Sequence, residues 1–134
     1  MKSGLAAAFG LACSLWLVSF SAVAADTAPA PSLSNKWRIE ISGGANSDGH
    51  MLFRITPDQG TPIDVKVTID DGRGENAVAG DIKRAMEKAL DRKTYHVEVD
   101  DGEDVLVKKR KGPDFTVELV ESTVKNTKVR FDKE

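Results

Sequence analysis

The chain has 134 residues, the size of one domain, which excludes a multi-domain machine. Its 19 Lys and Arg oppose 21 Asp and Glu, so the net charge is −2 and bulk electrostatic capture of nucleic acid is disfavoured. One Cys and two His are too few for a conventional structural zinc site or a disulfide framework.

The first 25 residues read as an export signal rather than as part of a fold. Lys2 supplies the positive start, and an apolar stretch runs from Leu5 to Phe20. Ser21-Ala22-Val23-Ala24-Ala25-Asp26 then offers the small residues that a signal peptidase cleft admits. Cleavage after Ala24 and cleavage after Ala25 both satisfy the pattern, and the second is preferred. A retained membrane anchor is the competing reading, but the 16-residue apolar run is short of the roughly 20 that a spanning helix needs. Lipidation at Cys13 is disfavoured because Gly10 stands where a lipobox wants Leu, and apolar residues continue beyond it. Removing residues 1–25 leaves 109 residues with 18 cationic and 21 acidic side chains and no thiol, so the core must hold by packing alone. Residues 26–35, with Pro29 and Pro31, read as a flexible leader, and residues 36–134 as a single domain.

Within that body, Trp37, Ile39 and Ile41 alternate with Arg38, Glu40 and Ser42, the period of a half-buried strand. A glycine-rich loop, Gly43 to Gly49, separates it from a second strand marked by Met51, Phe53 and Ile55. After a turn with Pro57, Gly60 and Pro62, the residues Ile63, Val65, Val67 and Ile69 put four β-branched side chains on one face of a third strand. The period then changes. Val78, Ile82, Ala85, Met86, Ala89 and Leu90 follow helical spacing, with Asn76 as the expected N-cap, Asp81 near the start, and Lys88, Arg92 and Lys93 at the far end. Gly80 lies off the apolar stripe. Tyr95, Val97 and Val99, then Asp101-Gly102, then Val105 and Val107 predict a hairpin whose loop Glu103 and Asp104 lengthen. Lys111-Gly112-Pro113 turns the chain into a strand with Phe115, Val117 and Leu119, and Val124, Val129 and Phe131 mark a last, weaker one. The expected fold is α+β: one amphipathic helix on a mainly antiparallel sheet of about six or seven strands, with the far face wet. The strands flanking the helix have the option of pairing in parallel.

From Ile63 to Leu119 the chain resembles the β-α-β-β module of flagellar hook-associated and phage-tail proteins. The matching residues are Val65, Val67 and Ile69, then Ile82 and Leu90, then Val97, Val99, Leu106 and Val107, with Asp114-Phe115 opening the last strand. The whole chain is also similar to small exported proteins of Burkholderia-type proteobacteria to which no activity is assigned. Neither resemblance implies a catalytic residue.

His50 and His96 are the candidate physiological bases, and nothing adjacent to either resembles a triad partner. There is no G-x-S-x-G, no P-loop and no H-E-x-x-H, so neither an enzyme nor a cofactor is expected. Two acidic loops stand out. Asp70, Asp71 and Glu75 in one, and Asp100, Asp101 and Asp104 in the other, offer oxygens of the kind calcium takes, although their spacing misses the EF-hand pattern and Asp-Gly is a standard turn pair. Lys108, Lys109, Arg110 and Lys111 form the densest cationic run, and Lys83, Arg84 and Lys88 on the helix are candidates to extend it into a patch. The solvated alternative pairs these cations with neighbouring acids.

Together these features point to an exported, non-catalytic binding or accessory protein of the periplasm or exterior. Its partner is expected to be a protein or an anionic envelope component, met at a sheet edge near Lys108 to Lys111. No nucleic acid and no membrane span after signal removal belong to that reading. Cation binding by the acidic loops is the alternative, and a small hydrolase using His50 or His96 is the third.

Overall fold

The computed structural model describes residues 32–134, so the export-signal residues 1–25 and most of the leader lie outside the described residues. Among the described residues the alternating and helical patterns become seven strands and one helix. In chain order they are β1 (Lys36–Ser42), β2 (Gly49–Pro57), β3 (Ile63–Ile69), α1 (Glu75–Ala89), β4 (Tyr95–Asp100), β5 (Asp104–Lys109), β6 (Phe115–Ser122) and β7 (Lys128–Lys133). The fold is α+β, as expected. The strands, however, divide into two sheets, ordered β4-β5-β1-β7 and β3-β2-β6, and every pairing is antiparallel. β3 and β4, which flank the helix, belong to different sheets and do not pair.

Geometry explains the division. A helix about 10 Å across spans about two strands at ~4.8 Å spacing, so one helix cannot cover the apolar faces of seven. The two sheets bury those faces against each other instead. Phe53 of β2 meets Phe131 of β7 edge-on at 6.3 Å between ring centroids, and Tyr95 of β4 meets Phe115 of β6 at 5.2 Å. The Trp37 indole N–H in β1 donates to the Phe115 carbonyl at 2.9 Å, a buried hydrogen bond from one sheet to the other. α1 packs on β3 of one sheet and on β4, β5 and β1 of the other, contributing Val78, Ala79, Ile82 and Met86, with Leu90 just past its end, to a single core. Among the described residues no helix is long and apolar enough to cross a membrane.

The fold starts earlier than the alternation suggests. Ser34, placed in the leader from sequence, is buried and exchanges both backbone hydrogen bonds with Phe115 at 3.0 Å, while β1 just beyond it pairs in the other sheet. The helix is also capped two residues before the expected position. Its N-cap is Gly74, which makes no side-chain capping bond, rather than Asn76. The preceding loop is pinned to the glycine-rich loop by Ala45 N–H to Arg73 O (2.7 Å) and Gly72 N–H to Ala45 O (2.9 Å), which fixes where the helix starts. Gly43 in that loop has φ of 78°, and a Cβ there would stand 2.5 Å from the Asn126 carbonyl oxygen. In the β4–β5 hairpin Asp101 and Gly102 both have positive φ, 48° and 83°, as the sequence pair suggests. The ladder of β2 and β6 shifts register between Leu52 and Phe53, leaving Val120 without a partner and exposed.

Candidate functional site

At its C-terminal end α1 stops at Leu90, whose N–H returns to Met86 O at 2.8 Å. Asp91 then organises the turn into β4. Its carboxylate accepts from Lys93 N–H (3.0 Å) and from the Thr94 hydroxyl (2.9 Å), and these bonds, with the first the largest cause, hold it below the usual carboxylate range. The hairpin of β4 and β5 is extended one step by Arg110 N–H to Thr94 O at 2.7 Å. The result is a hollow of about 240 Å³ between the helix end and the hairpin. Leu90, Tyr95 and Val97, all nearly buried, line its apolar part, and Arg92, Arg110, His96 and Glu87 supply its polar part.

His96 connects the hollow to the outer sheet face. An Arg110 Nη lies 2.8 Å from its Nδ1, and its Nε2 lies 3.1 Å from the Glu98 carboxylate. A guanidinium only donates, so Nδ1 accepts, and the ring proton belongs on Nε2, pointing at Glu98. Glu98 also receives Lys108 Nζ at 3.1 Å, and its carboxyl is held low by His96 first and Lys108 second.

The cationic run is therefore dispersed rather than displayed as one block. Lys108 pairs with Glu98, and Lys109 pairs with Asp114 at 2.6 Å and also donates to the Gly112 carbonyl. On the helix Lys83 pairs with Glu87 at 3.4 Å and Arg84 with Asp81. Asp81 is shared with Arg73, whose two bonds to it measure 2.9 and 2.8 Å. β5 is flanked by β4 and β1, so Lys108 and Lys109 stand on an interior strand and not on a sheet edge. Lys88 and Lys111 are exposed, and Arg110 faces the hollow. Arg92, which the sequence marked only as a helix-end cation, makes no ion pair or side-chain hydrogen bond among the described residues. Arg92, Leu90, Tyr95 and Val97 were legible as helix end and strand start. Their convergence with Arg110, from the far side of a hairpin, had no local signal.

The acidic loops approach each other where Gly102 abuts the Asn76 side chain. Their carboxylates are spent differently. Glu75 accepts from Gly43 N–H at 3.0 Å, whereas Asp100 and Asp104 accept from Arg38 at 3.3 and 2.5 Å. Asp70, Asp71 and Asp101 are exposed, and the Asp71 N–H is bound by the Asp48 carboxylate at 2.7 Å. Among the described residues no group of three or more His, Cys, Asp or Glu gathers as a metal site requires.

His50 stands on the other sheet. Its ring lies 3.3 Å from the Glu121 carboxylate and 3.4 Å from the Thr123 hydroxyl, which itself accepts the His50 backbone N–H at 2.9 Å. These partners converge from a distant strand, on an exposed stretch, with the Thr–His contact at the outer limit of a hydrogen bond.

No protein-family model matches the chain, and no curated protein matches it.

Proposed function

We propose that this chain is an exported, non-catalytic binding module of the periplasm or exterior. It acts by contact with an acidic partner protein, through the surface at the C-terminal end of α1. The observation that carries the reading is the pairing state of the cations. Most of the expected basic surface is neutralised by neighbouring acids, whereas Arg92 and Arg110 border one hollow with apolar walls. Exposed Lys88 and Lys111 add charge to the surrounding surface. Electrostatic complementarity of this kind steers and orients a partner more than it adds raw affinity. Export is supported by the Lys2, Leu5–Phe20 and Ala22–Ala25 pattern.

Site-specific photocrosslinking in the producing cell tests the reading. A photoreactive residue at Lys88 or Lys111 is expected to yield one identifiable adduct from the envelope fraction. The same adduct should be missing when the probe stands at Thr68, on the outer face of β3, and when R110E is combined with either productive position. Equal adducts from all three positions, or none, overturn the contact surface. A protein retained in the cytoplasm with its first 25 residues overturns export.

A further inference from the structure

We propose that the hollow at the end of α1 is a pocket for an apolar group ending in a carboxylate, and that its occupant is the C-terminal residue of a partner chain. The inference rests on the contact surface proposed above and adds the chemistry that the surface recognises.

Three properties of the hollow select that chemistry. The first is its mixed lining, with nearly buried Leu90, Tyr95 and Val97 on one part and two guanidinium groups at the mouth. A multiply charged phosphate gains nothing from such an apolar wall, whereas a carboxylate on an apolar stem uses both parts. The second is that the guanidinium donors are available. Arg110 is oriented by a single bond to His96 Nδ1, and a guanidinium carries five N–H donors, so a fork remains for a bidentate carboxylate. Arg92 makes no side-chain bond among the described residues. Glu87, the acid of the lining, is countered by Lys83 at 3.4 Å. The third is size. About 240 Å³ lies below the ~300–1,000 Å³ of sites for drug-sized ligands, and suits one side chain with its terminal carboxylate.

The backbone of β4 favours a peptide as the source of that carboxylate over a free acid. Among the described residues β4 pairs with β5 alone, and the bond from Arg110 N–H to Thr94 O sets the alternation of the ladder. Residues 96, 98 and 100 therefore bond to β5, and the N–H and C=O of Val97 turn toward the unpaired side. Val97 lines the hollow, so its free backbone groups lie where a peptide main chain would enter. A free acid has no amide groups with which to use them.

The test measures binding to the protein purified as its host produces it. The probes are of three kinds: acetylated tripeptides ending in free Leu, Phe or Val, the same tripeptides as C-terminal amides, and 3-phenylpropanoate. At least one free-carboxylate peptide is expected to bind with amide chemical-shift changes centred on residues 87–97 and 110. Its amide should bind about ten-fold more weakly or worse, because a charge-assisted bidentate contact is lost. R110Q and R92Q should each weaken the acid form by about ten-fold, whereas K66Q, a charge-matched change at an exposed position of β3, should leave it nearly unchanged. Equal binding of acid and amide overturns the carboxylate pocket. Binding of 3-phenylpropanoate as tight as the best peptide overturns the chain terminus as occupant. If no probe binds while the Lys88 and Lys111 crosslinks persist, the pocket fails and the contact surface stands. If the crosslinks vanish as well, both fail.

Discussion

Arg38 reaches three carboxylates from one position in β1. It bonds Glu134 at 2.6 Å, Asp104 at 2.5 Å and Asp100 at 3.3 Å, and Lys36 adds a second cation to Glu134 at 3.0 Å. The Arg38 bond, then the Lys36 bond, hold the Glu134 carboxyl at about 2 instead of 4.5. A depressed folded-state value means that the ionised form favours the fold. Its contribution is fully present above about 4.5 and is lost as pH falls from there through about 2. E134Q should therefore lower the urea midpoint at neutral pH and leave the two proteins alike near pH 2, as a series of denaturation curves across that window would read. High salt should shrink the difference, because these groups face solvent. Thr127 gives the opposite kind of residue effect. Its hydroxyl is buried with no hydrogen-bond partner among the described residues. Replacing it with the near-isosteric Val in T127V should stabilise the protein by about 1 kcal/mol in equilibrium unfolding.

At the scale of elements, the helix carries an avoidable weakness. Gly80 lies inside α1, and the nearest atom to a Cβ built there is Arg84 Nη1 at 3.5 Å, an ordinary contact. With space available and helical backbone already in place, G80A should stabilise the protein by about 1 kcal/mol, raising the thermal midpoint. Gly43 is the contrasting case. G43A should cost more than about 1 kcal/mol by the same measurement, since the left-handed backbone and the Asn126 carbonyl both oppose a side chain. Each strand and the helix were legible in the sequence because their periods are local: Val65, Val67 and Ile69 are buried where the alternation places them. The choice of neighbour was not legible. Alternation says which face of a strand is apolar and is silent on which strand lies beside it, so one expected sheet became two. β5 shows a second limit. Leu106 is buried on the face opposite Val105 and Val107, with Arg38 and Glu98 as its flanking ladder partners. The hollow escaped for the same reason as the sheet order, since Arg92 and Arg110 meet only after the helix end and the hairpin are docked.

In the whole molecule the sheets are joined by a few large side chains. Phe53, fully buried, lies between the sheets against Phe131, and F53A should cost ~3–5 kcal/mol in equilibrium unfolding. Because one core serves both sheets, backbone circular dichroism and tryptophan fluorescence should still report a single coincident transition in that variant. Separate transitions would mean that the sheets unfold as independent layers.

The pairing of β1 also sets the order in which the molecule can assemble. The first strand synthesised finds both its neighbours, β5 and β7, in the second half of the chain, and Ser34 ahead of it waits for Phe115. The closure of so large a loop precedes any gain from β1. A nascent chain thus stays free of stable structure in β1 until β5 has emerged. The earliest part of the fold to be made is thereby among the last to be locked, and the delay is written into the strand order itself.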